Sequence, residues 1–305
     1  MRRRREAGRP DPPVRWALAA TFLGPALLLY LGFTLYPMLR TLHNSLFVVP
    51  TVDQQEFVGL QNFRDIFSAD DVIWQAVRHS VLWATVSPLV EIPIAFLLAL
   101  ALFAKVPGAR FFRVAWFAPV LLSYVVVGPI WMWIYNHEWG AVNVALRAVG
   151  LGDLARPWLG SLSTALPALI VVTTWMFVGF YMVVLLAALS SLPTSVLEAA
   201  WMDGAGWWRS VWTIMIPLVR PTIANLVVLS VIGKLKQFAL VWVMTNGGPF
   251  WATETVATYI VKRAFEWKTL DLGYPSAVAT LWLVVMLVVT LALTRVLHRR
   301  AQLEF

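Results

Sequence analysis

Four residues of a largely apolar run in the last third of the chain have a spacing that gives them one shared face. The four are Ser230, Gly233, Lys234 and Gln237. In a helix, positions i, i+3, i+4 and i+7 lie on the same side. Polar and charged side chains within an apolar span almost always face a bundle interior or a wet cavity. This face therefore predicts either a lining for a polar solute or a helix contact held by polar side chains.

An earlier apolar run carries a second face at the same spacing, formed by Thr173, Met176, Phe177 and Phe180. One short segment joins the two runs, so we expect them to be neighbours. A polar face opposite an aromatic face suits a sugar, because sugar rings have polar edges and apolar C–H faces. The alternative is that Phe177 and Phe180 are plain core residues.

The sequence shows no catalytic machinery. It has no G-x-x-x-x-G-K-[ST] phosphate loop and no cysteine, and its four histidines are scattered without metal-ligand spacing. We therefore expect a protein that is not an enzyme and holds no cofactor or metal of its own. If it moves a solute against a gradient, the energy must come from another chain or from an ion gradient.

The elements that must position these faces are membrane helices. Of the 305 residues, 60% are hydrophobic and 13% are charged, whereas soluble domains have about 25% charged residues. This composition argues against a soluble enzyme, a disordered scaffold and a disulfide-rich secreted domain. A spanning helix needs about 20 apolar residues. The predicted spans are 16–36, 76–103, 111–135, 163–190, 219–245 and 276–297.

The distribution of basic residues predicts the orientation of these spans. With a cytoplasmic N-terminus, the inside segments carry fourteen Lys and Arg residues and the outside loops carry seven. This excess favours a cytoplasmic location for both termini, and the basic ends need no nucleic acid to explain them. The predicted parts are a basic tail at 1–15, a first helix and extracytoplasmic loop at 16–75, a core at 76–298 and a tail at 299–305.

The segment that joins the fourth and fifth spans is the most informative part of the sequence. It predicts a short helix, a bend at Gly204 and a second short helix beneath the membrane. Ser195 is predicted to cap the first helix, with Glu198 completing a capping box. Pro217 and Pro221 are predicted to set the start of the fifth span. By composition alone, the tryptophans of this segment would be interfacial anchors.

This segment, residues 192–221, resembles the EAA loop of ATP-binding-cassette (ABC) importer permeases. The family pattern is E-A-A, three residues, G, nine residues, I, one residue, L and P. The matching residues are Glu198, Ala199, Ala200, Gly204, Ile214 and Pro217, with Ile216 in place of the leucine. The resemblance implies that this segment docks on the ATPase. The implied docking residues are Glu198, Ala199, Ala200, Asp203, Gly204, Ala205, Trp207 and Trp208.

Other segments resemble the carbohydrate branch of that family, in particular the maltose- and glycerol-3-phosphate-type permeases. They are Tyr36-Pro37, the run FVGLQNFRDIF at 57–67 and the turn TNGGP at 245–249. The resemblance implies an all-α, six-span permease of the type I ABC importer fold in a bacterial or archaeal cytoplasmic membrane. The implied partners are a second homologous permease, an ATPase dimer that binds ATP and Mg, and an extracytoplasmic solute-binding protein. The implied sugar contacts are Thr173, Phe177, Phe180, Ser230, Gly233, Lys234 and Gln237.

Lys234 departs from the amide residues that are more usual at this position in maltose-type permeases. It either pairs with Glu91 on the second span or meets an acidic group of the substrate. The substrate therefore stays open among a maltodextrin, another oligosaccharide, a sugar phosphate and a polyol. Two other classes also stay open: a gradient-driven secondary transporter, with Glu91 as its coupling carboxylate, and a membrane scaffold that transports nothing.

Overall fold

The computed structural model describes residues 12–51, 54–68, 70–104, 106–267 and 271–302. The predicted basic tail lies for the most part outside the described residues, and the predicted C-terminal tail lies partly outside them. The chain divides into two compact units. One comprises Met1–Asp65 and Thr269–Thr280, and the other comprises Ile66–Lys268 and Leu281–Phe305.

The first unit begins with a long helix and a hairpin. The elements are α1 (Pro12–Tyr30), a π-helical turn (Leu31–Leu35), α2 (Tyr36–Asn44), β1 (Phe47–Thr51), β2 (Gln54–Phe57) and the start of α3 (Gln61–Ser68). The candidate span covers Ala20–Asn44, so the helix continues past the predicted end at residue 36. Pro37 does not stop it, because the π-helical turn lies directly before it and a missing N–H is tolerated in a first turn.

The hairpin is held by side chains from both ends of this unit. The Nδ2 atom of Asn62 donates to the carbonyls of Ser45 (3.0 Å) and Phe47 (2.9 Å). The backbone N–H of Val49 donates to Asp271 Oδ1 over 2.7 Å, and that of Leu272 donates to the Val49 carbonyl over 3.0 Å. The loop that follows the first membrane helix therefore has a defined local structure.

The second unit is helical. In chain order its helices are α4 (Asp71–Phe103), α5 (Ala109–Phe117), α6 (Tyr124–Ile134), α7 (Ala141–Ala148), α8 (Ala165–Ser190), α9 (Thr194–Met202), α10 (Trp207–Ser210), α11 (Ile216–Leu235), α12 (Ala239–Met244), α13 (Val256–Phe265) and α14 (Gly273–Gln302), of which residues 281–302 belong here. Shorter turns lie at Ala118–Leu121, Gly152–Leu154 and Val211–Met215.

Helix α8 is the centre of this unit, because α4, α5 and α11 all pack against it. Two buried apolar clusters line it, one around Met182 and Leu185 and the other around Leu169 and Trp83. Gly179 allows the closest approach of a neighbouring backbone, since a Cβ atom there would lie 1.8 Å from the carbonyl oxygen of Trp116. Burial of these large side chains is the main stabilising contribution within the unit.

Five helices in the described part of the chain are long and apolar enough to cross a membrane, and the number is six if one bent pair is counted as a single span. That pair, Ala109–Leu121 and Tyr124–Ile134, changes direction by 105°. The prediction of one continuous span at 111–135 is therefore wrong. The break has a local cause, because the backbone at Ser123 is extended and its hydroxyl caps α6 by accepting from the N–H of Val125.

The fifth span also differs from its prediction at 219–245. One helix runs from Trp207 to Leu235, and α12 is a separate short helix. The π-helical turn at Val211–Met215 ends two residues before Pro217, and its wider bonding pattern lets the helix pass this proline without ending. Pro217 lies in the first turn of α11, as predicted. The predicted second short helix is present as α10, but it is not separate, because it continues through the π-helical turn into α11.

Candidate functional site

A cavity of about 290 Å³ lies in the second unit, between α8, α11 and the break before α6. Its lining residues are Val120, Tyr124, Phe177, Phe180, Tyr181, Leu229, Ser230, Gly233, Lys234 and Gln237. Both predicted faces contribute to this lining, the aromatic one from α8 and the polar one from α11. The structure thus brings together six of the seven residues that the sequence resemblance implies as sugar contacts.

Thr173 is the residue of that set that the structure places elsewhere. It is fully buried, and its hydroxyl accepts from Trp83 Nε1 over 3.3 Å and donates to the Ile170 carbonyl over 3.0 Å. Met176, which shares the predicted face, is also a core residue with 2% of its surface exposed. Thr173 and Met176 therefore pack inside the unit, whereas Phe177 and Phe180 line the cavity.

Gln237 reaches the cavity from a turn and not from the helix that carries the other polar residues. Helix α11 ends at Leu235, and the backbone N–H of Gln237 donates to the Lys234 carbonyl over 3.1 Å. Thr255 Oγ1 fixes the turn by donating to the Gln237 carbonyl over 2.9 Å. The Gln237 side chain lies beside the Tyr124 hydroxyl, and its buried Nε2 atom has no acceptor in hydrogen-bond geometry within the described residues. Because buried polar groups are normally paired, this amide is available to a ligand in the cavity.

Lys234 forms an ion pair with Glu91 across the interface of α11 and α4. Its Nζ atom lies 2.7 Å from Glu91 Oε1, and Ser230 Oγ donates to Glu91 Oε2 over 3.1 Å. The same Nζ atom lies 4.6 Å from the centroid of the Phe177 ring, within cation–π range. Of the two alternatives for Lys234, pairing with Glu91 is the one that the structure shows.

Sequence reasoning missed four lining residues, Val120, Tyr124, Tyr181 and Leu229. The first two reach the cavity because the third span is broken between Leu121 and Tyr124. The signal for that break was present, since Pro119 and Ser123 are poor interior helix residues close together. Tyr181 follows Phe180 and Leu229 precedes Ser230, so each lies beside a residue of a predicted face. The lining is therefore wider than the two predicted faces.

A second candidate site lies on α9, the first helix of the segment at 192–221. The helix begins at Thr194 after an extended Pro193, and no side chain caps it. Ser195 and Glu198 lie inside the helix and are exposed, so the predicted capping box is wrong. The reason is that Pro193, with φ −60° and ψ 123°, already provides the non-helical residue before the first turn.

The end of α9 is a Schellman motif built on Gly204. The N–H of Ala205 donates to the Ala200 carbonyl over 2.9 Å, and that of Gly204 donates to the Trp201 carbonyl over 3.0 Å. Gly204 has φ +79°, a conformation that costs little only for glycine. Gly204 therefore ends α9 sharply, which keeps α9 distinct from the helix that starts at Trp207.

The residues implied in docking divide between an exposed set and an inward set. Those exposed are Glu198, Ala199, Asp203, Gly204 and Trp208. Ala200 is buried, Ala205 is half-buried, and the half-buried Trp207 stacks on Phe103 of α4 with ring centroids 6.4 Å apart. The inward side chains tie the segment to the core, so a force on the exposed set would reach α4 and α11.

Taken together, the second unit defines a class of protein, a bundle of membrane-spanning helices around a cavity that suits solute binding. Residues 91–303 match a family described as "Binding-protein-dependent transport system inner membrane component". The chain is 35% identical to the probable ABC transporter permease protein YurN of Bacillus subtilis, over 90% of this chain and 92% of YurN. It is 31% identical to the sulfoquinovosyl glycerol transport system permease protein SmoG of Agrobacterium fabrum, over 93% of this chain and 91% of SmoG.

The fold is also similar to that of a solved transporter chain. With a TM-score of 0.81 and 24% identity, the match covers 94% of this chain and 95% of a chain from a bacterial alginate ABC transporter in complex with an alginate pentasaccharide-bound periplasmic protein. The chain therefore belongs to the family of binding-protein-dependent transport system inner membrane components. It is a multi-pass membrane subunit of an ABC transporter with the fold of the importer permeases.

Proposed function

We propose that this chain conducts a carbohydrate or related polyhydroxy solute through the membrane as one permease of an ATP-driven importer. The observation that carries the proposal is the cavity, which the Gln237 amide lines together with the aromatic residues of α8. Amide and hydroxyl groups can bind sugar hydroxyls, and the rings of Phe177 and Phe180 can pack against sugar C–H faces. Pockets that combine an apolar lining with a few fixed polar groups are typical of solute sites.

The proposed roles of the lining residues follow from their positions. Gln237 Nε2 donates to a solute oxygen, and Ser230 and Lys234 form the polar wall beside it. Gly233 has no side chain and leaves room at that wall, since no atom lies within 4 Å of where its Cβ would be. Tyr124, at the start of α6, lies beside Gln237 and moves with the broken third span.

The proposed coupling site is the exposed set of the segment at 192–221. In this account the segment faces the cytoplasm and docks on an ATPase, with Glu198 and Gly204 at the contact. Closure of the ATPase dimer on ATP and Mg moves α9, and the attached helices switch the cavity from inward- to outward-facing. The stacking of Trp207 on Phe103 supplies a direct connection from the docking segment to α4.

The proposed assembly contains further chains. A second homologous permease completes the pathway, two ATPase subunits bind the nucleotide, and an extracytoplasmic binding protein delivers the solute. The family description, which names dependence on a binding protein, supports the last of these partners. The relative SmoG and the alginate transporter, both named for carbohydrate-type solutes, support a carbohydrate as the substrate class; alginate is an acidic polysaccharide, so this support does not extend to the charge of the solute.

The gradient-driven alternative depended on Glu91 as a coupling carboxylate. A coupling group must exchange a proton or an ion, whereas Glu91 is fully buried and already bound by Lys234 and Ser230. This arrangement favours a structural or electrostatic role for Glu91 over a coupling role.

The test is purification of the tagged chain from its native membrane in mild detergent, followed by mass spectrometry of the proteins that co-elute. We expect a second permease and a chain with a phosphate loop, and we expect ATP to drive uptake when the complex and its binding protein are reconstituted in vesicles. A chain that elutes alone after gentle cross-linking, and that transports a sugar without ATP, would contradict the proposal.

A further inference from the structure

We infer that the Glu91–Lys234 pair is a charge filter that makes the cavity select uncharged solutes over acidic ones. This inference rests on the proposed function, since it concerns the solute class that the same cavity accepts. It assigns a specificity-determining role to Glu91, a residue that does not itself line the cavity.

The charge at the cavity wall is supplied by one side chain. Among the ten residues that line it, Lys234 alone carries a formal charge at neutral pH. Taken by itself, a buried ammonium beside an aromatic ring would attract a carboxylate or phosphate of a solute. Whether such a site binds acidic sugars therefore depends on which other group holds the ammonium.

Glu91 supplies that reason. Its carboxylate lies 2.7 Å from the ammonium, is fully buried, and is fixed from its other side by Ser230. Within a low-dielectric interior this short pairing satisfies the lysine charge and leaves the wall with no net charge. The ammonium can still donate a hydrogen bond toward the cavity, which a hydroxyl of a solute can accept.

An acidic solute would meet two penalties in this cavity. The first is that its carboxylate loses its hydration without gaining an unpaired cation. The second is that, if it binds Lys234, the buried carboxylate of Glu91 on α4 is left without a partner. A neutral polyhydroxy solute meets neither penalty, because hydroxyls can bind Gln237 and the wall without separating the pair. The pair thus discriminates between an acidic and a neutral solute of the same size and shape.

The test compares sugars that differ only in a carboxylate. The permease and ATPase complex, purified in nanodiscs without its binding protein, is titrated with two matched pairs of probes by saturation-transfer NMR. The pairs are methyl glucoside with methyl glucuronide and methyl galactoside with methyl galacturonide. The variants are Glu91→Gln, which frees Lys234, and the double variant Glu91→Gln/Lys234→Gln, which removes both charges.

In the wild type we expect at least tenfold weaker binding of the acidic member of a pair than of the neutral member. Glu91→Gln should raise the affinity for the acidic probe at least tenfold with little change for the neutral probe, and the double variant should lose this gain. Equal binding of both members by the wild type, or no gain in Glu91→Gln, would overturn the inference. If Glu91→Gln does not assemble, the wild-type comparison decides.

Failure of this inference and failure of the proposed function give different results. A cavity that binds acidic sugars better than neutral ones overturns the filter and leaves a sugar permease intact. A wild-type complex that binds none of the four probes, with no gain in either variant, removes the support for a carbohydrate site as well.

Discussion

Lys262 Nζ lies 2.6 Å from Glu254 Oε2, and both side chains are buried beneath the turn that follows α12. The same ammonium donates to the Asn246 carbonyl over 2.7 Å. Gly247, with φ +75°, packs directly on this pair, because a Cβ atom there would lie 1.8 Å from Glu254 Oε2 and 2.6 Å from Lys262 Nζ. The glycine-rich turn of the sequence is thus shaped around a buried ion pair.

Gly247→Ala should destabilise this turn. A side chain at positive φ costs roughly 1–2 kcal/mol, and the new methyl group would also displace the ion pair. Since about 1 kcal/mol corresponds to roughly 2–4 °C in a chain of 150–250 residues, thermal unfolding of the purified protein should begin several degrees lower. Gly206→Ala is the matched control, because φ there is −68° and no atom lies within 4 Å of the new Cβ. Equal midpoints for the two variants would contradict this account of the turn.

Lys262→Met should make stability depend more steeply on pH. Burial raises the pKa of the Glu254 carboxyl, and the Lys262 ammonium opposes this rise. A carboxyl whose pKa is raised on folding favours the protonated form, so the free energy of unfolding falls as pH rises from the unfolded pKa through the folded one. Without Lys262 the pKa rises further, and breaking the buried pair should cost roughly 3–5 kcal/mol above the folded pKa.

The measurement is the thermal midpoint of Lys262→Met between pH 5 and pH 8. We expect it to fall with rising pH more than that of the wild type does. The double variant Glu254→Gln/Lys262→Met lacks this carboxyl and should lose the additional fall with pH. A single variant that is equally stable across this range would show that Glu254 keeps its charge without Lys262.

Glu198→Lys should abolish ATP-driven uptake while leaving the protein inserted and folded. Glu198 is exposed on α9, so the change affects no core contact, but it reverses the charge presented to the proposed ATPase partner. Ser195→Lys, which adds the same side chain at another exposed position of α9, is the control. Uptake by reconstituted complexes and co-purification of the ATPase are the two readouts, and normal values for Glu198→Lys would rule out the coupling role.

The spans and the two faces could be predicted from the sequence because they depend on local composition and helical spacing. The predicted fourth span at 163–190 is confirmed by α8 at Ala165–Ser190. The faces on α8 and α11 meet in one cavity because one short segment joins these helices. The possible pairing of Lys234 with Glu91 could be stated in advance, since a lone charge inside a span needs a partner.

Other features depend on contacts that a single sequence does not display. The break before Tyr124 follows from a cap at Ser123, and the unbroken helix through Pro217 follows from a π-helical turn. Thr173 has the right spacing for the cavity, but Trp83, which is distant in sequence, occupies its hydroxyl. Gln237 reaches the cavity although its helix has ended, because Thr255 holds the turn.

The central claim is that the cavity is the path of the solute, and Gln237→Leu tests it most directly. The variant keeps the approximate volume of a buried side chain and removes the amide that has no acceptor among the described residues. Lys236→Leu, an exposed neighbour that does not line the cavity, is the control. The measurement is ATP-dependent uptake, by reconstituted complexes with their binding protein, of whichever radiolabelled mono- or disaccharide the wild type accepts. We predict at least a tenfold loss for Gln237→Leu and near-normal uptake for Lys236→Leu, whereas unchanged uptake by Gln237→Leu would contradict the assignment of this cavity.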